Sequence, residues 1–380
     1  MRKLSIFVGA LTLIAFVAAC EGPEGPAGAD GADGAQGPAG ATGATGPAGP
    51  AGPAGPAGPA GQDGINAAET CTQCHNSSTE IFAREVQYSN SVHFLGGNYE
   101  RAGSASCGTC HSHEGFANYV AGDPEVSISN PSPINCRTCH EIHTTFTDAD
   151  WNLTTVAPVA LIQDPTTTVD YGAGNLCSNC HQARATTLPV VDGADFAVTS
   201  SRYGYHHGPQ AQSLGGLGGL KIGNAPNATI NEGPNSHGNI ATNANGCVTC
   251  HMAEPFGSQS GGHTWRMAYE YHGAVEDNVA GCNTTGCHDA TGPITEFDFS
   301  GRMTLVQSLI DSLETELIRV GAYDTTTALF VAATYPANVA ASMLNYQFLK
   351  EDRSLGIHQP YYVTRILQNS IAYMLTVPTP

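Results

Sequence analysis

Apolar and polar positions fall into four regimes along this chain. After the basic Met1-Arg2-Lys3, a mainly apolar run extends from Leu4 to Val17. It is too short for an ordinary membrane-spanning helix, which takes about 20 residues. From Gly22 to Gly64 glycine then recurs at every third position without a break. Residues 65 to about 300 are rich in Gly, Asn, Ser and Thr, the residues of turns, and predict short helices with little strand. The last segment, 301–380, is helical in pattern. Leu305, Leu309, Leu313 and Leu317, with Val306, Ile310 and Val320, fall on one helical face. A second helix is predicted across Val339 to Lys350. A third is expected after His358, with Pro360 in the first turn, where a missing N–H does no harm. These helices are expected to pack as a hairpin.

Strict glycine periodicity is the mark of a collagen triple helix, because only glycine fits at its crowded axis. Residues 20–64 are therefore read as a collagen-like Gly-x-y stalk. Proline always takes the X position and never Y, so hydroxyproline contributes nothing. A trimeric rod of this length would extend about 130 Å at ~3.1 Å per residue. A single flexible tether would average about 36 Å end to end. Upstream, Val17-Ala18-Ala19-Cys20 resembles the lipobox of bacterial lipoproteins. That resemblance implies a signal peptide over residues 1–19, cleavage before Cys20 and lipidation of that cysteine. Several acyl chains give stable membrane anchoring where one does not. Cleavage after Ala19 without a lipid would instead release a soluble protein. The expected location is the outer membrane, facing the cell exterior, with the periplasm as the alternative.

Charge narrows the partners. The formal net charge is −19, so a nucleic-acid or anionic-lipid surface is excluded as a partner. Only 12% of residues are charged and 45 are glycine, so a large conventional core is not expected.

The candidate chemistry lies in the turn-rich region. Five segments read Cys-x-x-Cys-His: Cys71, Cys74 and His75; Cys107, Cys110 and His111; Cys136, Cys139 and His140; Cys177, Cys180 and His181; Cys247, Cys250 and His251. A sixth, Cys282, Cys287 and His288, has four residues between its cysteines. Cys-x-x-Cys-His is the attachment site of a c-type haem, in which two thiols reach the vinyl groups and the next histidine is the proximal iron ligand. Six c-type haems use twelve of the thirteen cysteines, and the thirteenth is Cys20. None remains for a disulfide framework. A zinc ribbon needs two such pairs per metal and no histidine after the second cysteine, yet every pair here has one. With a haem for about every 50 residues, covalent attachment to porphyrin replaces secondary structure as the organiser of residues 65–300.

Each haem iron has one further axial position. Nine histidines lie outside the motifs, His93, His113, His143, His206, His207, His237, His263, His272 and His358. They suffice for six bis-histidine haems, a ligation of lower potential than His/Met. Several stretches resemble the large multihaem cytochrome c family of the bacterial cell surface, related to pentahaem nitrite reductases and octahaem proteins. They are Cys107 to Phe116, Cys136 to Thr145, His206 to Gln210, Cys247 to Met252, Gly262-His263-Thr264 and Glu351 to Pro360. The resemblance covers roughly residues 68–375. It implies distal ligands at His93, His143, His207, His237, His263 and His358, with His113, His206 and His272 spare. The sixth motif departs from the pattern in its cysteine spacing. No Cys-x-x-Cys-Lys, the mark of the nitrite reductase catalytic haem, is present.

The fold class expected is mainly α with extensive coil: a haem-organised domain over 65–300, and a C-terminal helical segment over 301–380 that donates a distal histidine. A chain of bis-histidine haems has no vacant iron site and reads as an electron carrier rather than an enzyme. The expected function is extracellular electron transfer. Other cytochromes would be donor and acceptor, and metal oxides a further acceptor. The stalk would make a homotrimer. A homopolymeric cytochrome filament is the structural alternative, and a multihaem reductase for a nitrogen or sulfur oxyanion is the enzymatic one.

Overall fold

The computed structural model describes residues 79–123, 127–206, 208–223, 237–238, 245–288 and 292–380. The chain divides into two units, Met1–Gln62 and Asp63–Pro380. The first unit lies outside the described residues, and so do the first motif, Cys71 to His75, and His207.

Within the second unit helix predominates. Short helices come first: α1 (Thr79–Ser89), α2 (Val92–Leu95), α3 (Ala105–His111), α4 (His113–Val120), α5 (Cys136–Cys139), α6 (Asn175–Ser178), α7 (Gln210–Leu214) and α8 (Cys247–His251). Each of α3, α5, α6 and α8 carries part or all of a motif, because one helical turn closes the spacing from first cysteine to histidine. In the third and fourth motifs the His140 N–H donates to the Cys136 carbonyl at 2.9 Å, and the His181 N–H to Cys177 at 2.8 Å. The sixth motif forms turns instead, with Gly286 at φ 86°. Its two extra residues loop out, and the His288 N–H still reaches the carbonyl of its first cysteine, Cys282, at 3.1 Å. The longer spacing therefore returns the histidine to an equivalent place.

Strands are two to four residues long and, among the described residues, pair antiparallel in twos. β1 (Val159–Ala160) pairs with β2 (Thr168–Val169), and β3 (Phe196–Val198) with β8 (Ala333–Tyr335). β4 (Ala268–Tyr271) pairs with β5 (Ala274–Asp277), and β6 (Tyr323–Asp324) with β7 (Leu329–Phe330). The β3–β8 pair, with Phe196 opposite Tyr335, ties the motif-bearing region to the C-terminal segment.

That segment holds three long helices: α9 (Arg302–Arg319), α10 (Ala337–Asp352) and α11 (Pro360–Met374). The carboxylate of Asp298 accepts the N–H groups of Met303 and Thr304 and starts α9. At its other end Gly321, at φ 73°, donates to the Ile318 carbonyl while Ala322 donates to Leu317, satisfying the last carbonyls of the helix. Val306, Ile310, Leu313 and Leu317 form its buried face, whereas Leu305 is 36% exposed. α10 is buried on nearly every side. Its polar Asn345 is satisfied by accepting the Leu220 N–H and donating to the Leu220 carbonyl and the Ser370 hydroxyl. Pro360 is the first residue of α11. The expected hairpin is thus a three-helix unit, in which α11 packs on both α9 and α10. Contrary to the expectation from composition, a conventional core is present. It centres on these helices and reaches back to Val198, Tyr203 and Tyr205. No helix among the described residues is long and apolar enough to cross a membrane.

Candidate functional site

A cavity of about 2510 Å³ runs through the motif-bearing region, several times the ~300–1,000 Å³ of a pocket for one small ligand. Its lining is mainly apolar and includes all ten described motif cysteines, with Cys107, Cys180 and Cys250 among them. Among the described residues, no group of three or more His, Cys, Asp or Glu side chains converges as a tetrahedral metal site would require.

Histidines meet instead in facing pairs across this space. The ring centroids of His93 and His181 are 6.1 Å apart, those of His140 and His263 6.2 Å, and those of His237 and His288 6.3 Å. His111 and His206 are 6.4 Å apart, as are His251 and His358. Each pair joins one motif histidine to one from outside the motifs, and all five described motif histidines are so paired. An imidazole nitrogen bonds a first-row metal at about 2.0–2.1 Å, so two rings on opposite sides of one ion have centroids about 6.3 Å apart. The donor spacing therefore fits a six-coordinate iron held axially by two histidines, and the thiols beside each pair fit covalent haem.

Hydrogen bonds at the far side of the rings fix their tautomers. A carbonyl only accepts, so Nδ1–H is the donor from His140 to Trp151 at 2.7 Å, from His251 to Trp265 at 3.2 Å, and from His237 to Ile357. His181 donates to the Gln210 side-chain oxygen at 3.3 Å, and that amide is oriented by its own donation to the Glu351 carbonyl. Nε2 is then left with a lone pair for a metal. Burial lowers the pKa of His93, His251 and His263 to about 4, reinforced by the neighbouring His181, His358 and His140 respectively. These rings are neutral at pH 7, the form that ligates. For His358 burial acts in the same downward sense, but the charge and hydrogen bond of Asp352 outweigh it and raise the pKa. The thiols do not shift as one. Burial, then the neighbouring cysteines, pushes Cys139 up to about 12 and Cys282 to about 11. Hydrogen bonds with Cys180 and Cys247 lower Cys110 and Cys177 respectively, against the opposing effect of burial.

The motifs touch one another. Cys110 Sγ lies 3.9 Å from the Asn179 carbonyl, and Cys180 Sγ lies 3.6 Å from that of Thr109, so the second and fourth motifs interlock reciprocally. Cys247 of the fifth motif is 3.9 Å from the Gly174 carbonyl at the start of the fourth. Beside the sixth, a Cβ on Gly281 would lie 2.6 Å from the Thr249 carbonyl of the fifth. His113 bonds Thr138 of the third motif at 3.1 Å rather than facing a motif histidine.

The remaining sequence candidates fall as follows. His93, His237, His263 and His358 each face a motif histidine. The residue opposite His111 is His206, read as spare, while its neighbour His207 lies outside the described residues. His143 sits at φ 67° against Phe146, in a loop whose N–H groups converge on the buried carboxylate of Asp150. His272 is exposed on the β4–β5 turn beside Tyr271. Cys20, Cys71, Cys74 and His75 lie outside the described residues.

Sequence reasoning missed the supporting residues. Both tryptophans of the chain belong here. Trp151 and Trp265 supply carbonyls to His140 and His251, and the Trp265 ring stands edge-on to His93 at 4.7 Å and to His263 at 5.7 Å. Asp150 gives no signal in the sequence, whereas Gln210 and Asp352 lie within the family-like stretches His206 to Gln210 and Glu351 to Pro360, where the resemblance gives them no role. For the tryptophans the signal is their scarcity.

Residues 19–70 match the collagen triple helix repeat, so the N-terminal region carries a collagen-like repeat. Among solved structures, the chain is similar to the outer cell wall cytochrome OcwA, at 14% identity and a TM-score of 0.40. The match covers 76% of this chain and 49% of that one, so this chain spans about half the length of that structure. No curated protein matches.

Proposed function

We propose that this chain is a multihaem c-type cytochrome that carries electrons along six covalently attached haems at the bacterial cell surface. One observation carries the reading: five motif histidines each face a second histidine at 6.1–6.4 Å between ring centroids. In this reading the cysteine pairs hold the groups as thioethers, and His111, His140, His181, His251 and His288 are proximal ligands. Their distal partners are His206, His263, His93, His358 and His237. His143 is assigned to His75 of the first motif. When bound, haem supplies reversible one-electron chemistry between ferric and ferrous iron.

The polypeptide contributes placement. Two imidazoles would hold each group and leave no open position for substrate, which favours carriage over catalysis. The interlocked motifs hold consecutive attachment sites in contact, from the second to the fourth, fifth and sixth. The net charge of −19 favours solubility and cationic or mineral partners over nucleic acid. We assign the lipid to Cys20 and the stalk to residues 20–64, presenting the haem domain to other cytochromes or to extracellular metal oxides.

Pyridine haemochrome analysis of the mature protein should return six haems per chain. The reduced protein should bind almost no carbon monoxide. Two or three haems per chain would overturn the motif assignment. Stoichiometric carbon monoxide binding would replace carriage with the oxyanion-reductase alternative.

A further inference from the structure

The loop between α10 and α11 has three left-handed residues within four positions: Arg353 at φ 59°, Leu355 at 46° and Gly356 at 86°. Left-handed backbone is disfavoured wherever a Cβ is present, and a bulky residue such as Leu355 is an outlier there. The effect of this path is to fold the chain back on the end of α10. His358 Nδ1 thereby comes to 2.7 Å from Oδ1 of Asp352. Asp352 is 3% exposed, and its other oxygen accepts the Ser354 hydroxyl.

This arrangement is unlike that at the other ligand histidines. His140, His237 and His251 donate Nδ1–H to backbone carbonyls and His181 to an amide oxygen. These acceptors are neutral. Of the five with a described Nδ1 partner, His358 alone donates to a carboxylate.

We propose that Asp352 is a positioning residue that lowers the potential of the haem held between His251 and His358. The inference rests on the haem reading above. A carboxylate accepting Nδ1–H draws the ring toward imidazolate and raises the donor strength of Nε2, which favours ferric over ferrous iron. Its fixed negative charge, buried beside the site, acts in the same direction, because the oxidised centre carries one more positive charge. The strained loop is what holds the carboxylate and the ring together.

The test uses the mature holoprotein and its Asp352→Asn, Asp352→Glu and His358→Ala variants. Readouts are mediated redox titration of the Soret band and electron paramagnetic resonance of the ferric state. His358→Ala identifies the centre as the low-spin signal converted to high spin. In Asp352→Asn that same signal should shift while staying low spin. The midpoint potential of that centre should rise, leaving the other five in place, and Asp352→Glu should return it toward the wild-type value. Six potentials unmoved in Asp352→Asn would overturn the proposal and leave the haem reading standing. So would conversion of that haem to high spin, since Asp352 would then only hold the ring. A wild-type protein without haem would overturn both.

Discussion

An imidazole serves as an axial ligand only if it is neutral, carries its proton on Nδ1 and points Nε2 at the iron. These three conditions are met by different residues, and they differ in how far a sequence reveals them. The cysteine pairs and their following histidines are legible outright, because their spacing is local. The histidines that face them are not, since His93 reaches His181 and His263 reaches His140 across distances in the chain that no pattern records. The family resemblance narrows nine candidates to six and takes His207 rather than its neighbour His206. The structure puts His206 opposite His111. Accordingly, His206→Ala should convert one low-spin haem to high spin with carbon monoxide binding near one equivalent. His207→Ala should leave the spectrum at wild type. The reverse result would restore the sequence assignment. Asp150 shows what a single carboxylate does for a loop. It accepts N–H groups from His143, Thr145 and Phe146 and the Thr145 hydroxyl. His143, Thr145 and Phe146 are exposed, so water can take up the donors that Asp150→Ala frees, and the loss is that of the loop's shared acceptor. The variant should lower the denaturant midpoint, and a midpoint equal to wild type would deny Asp150 this role.

At the scale of elements, legibility follows length. The three C-terminal helices are readable because 15 to 18 residues are enough for a period to emerge. Even there the predicted face of α9 was too wide. Leu313 is fully buried, while Leu305 is 36% exposed, because the stripe buried against α11 runs through Val306 and Ile310. Leu313→Ala should therefore cost about 2–5 kcal/mol in unfolding free energy, the range for emptying a packed leucine site. Leu305→Ala should cost less than about 1 kcal/mol, as partly exposed positions do. Equal costs would mean that the buried stripe of α9 has been wrongly drawn. Strands of two or three residues have no room for an alternating pattern. The β3–β8 pairing, which joins residues 196 and 335, was therefore out of reach. The sixth motif shows the opposite case. Its irregular spacing looked like a departure, yet the Cys282 carbonyl still receives the His288 N–H.

For the whole molecule, two modes of organisation divide the second unit. The C-terminal helices supply most of one apolar core, which reaches back to Val198, Tyr203 and Tyr205, whereas the motif-bearing region surrounds a large, mainly apolar cavity with short elements and loops. Composition alone averages these two, which is why a conventional core was not expected. The glycine-repeat segment obeys different rules, since its period is useful only to three chains at once. Residues 19–70 match the collagen repeat, but proline without hydroxyproline makes a triple helix of this length marginal. A folded domain on each chain adds no stability unless the chains are already held together. Lipid anchoring at Cys20 would supply that by confining three chains to one surface, raising their effective concentration as any tether does. The trimer should thus depend on the anchor as well as on the repeat. Lipidated protein in detergent micelles should sediment as a trimer and give a triple-helical circular dichroism band that melts cooperatively. Cys20→Ser protein should be largely monomeric at low concentration and retain all six haems. A Cys20→Ser protein that stays trimeric at nanomolar concentration would mean that the repeat suffices alone. A lipidated protein that never trimerises would mean that residues 20–64 act as a single-chain tether.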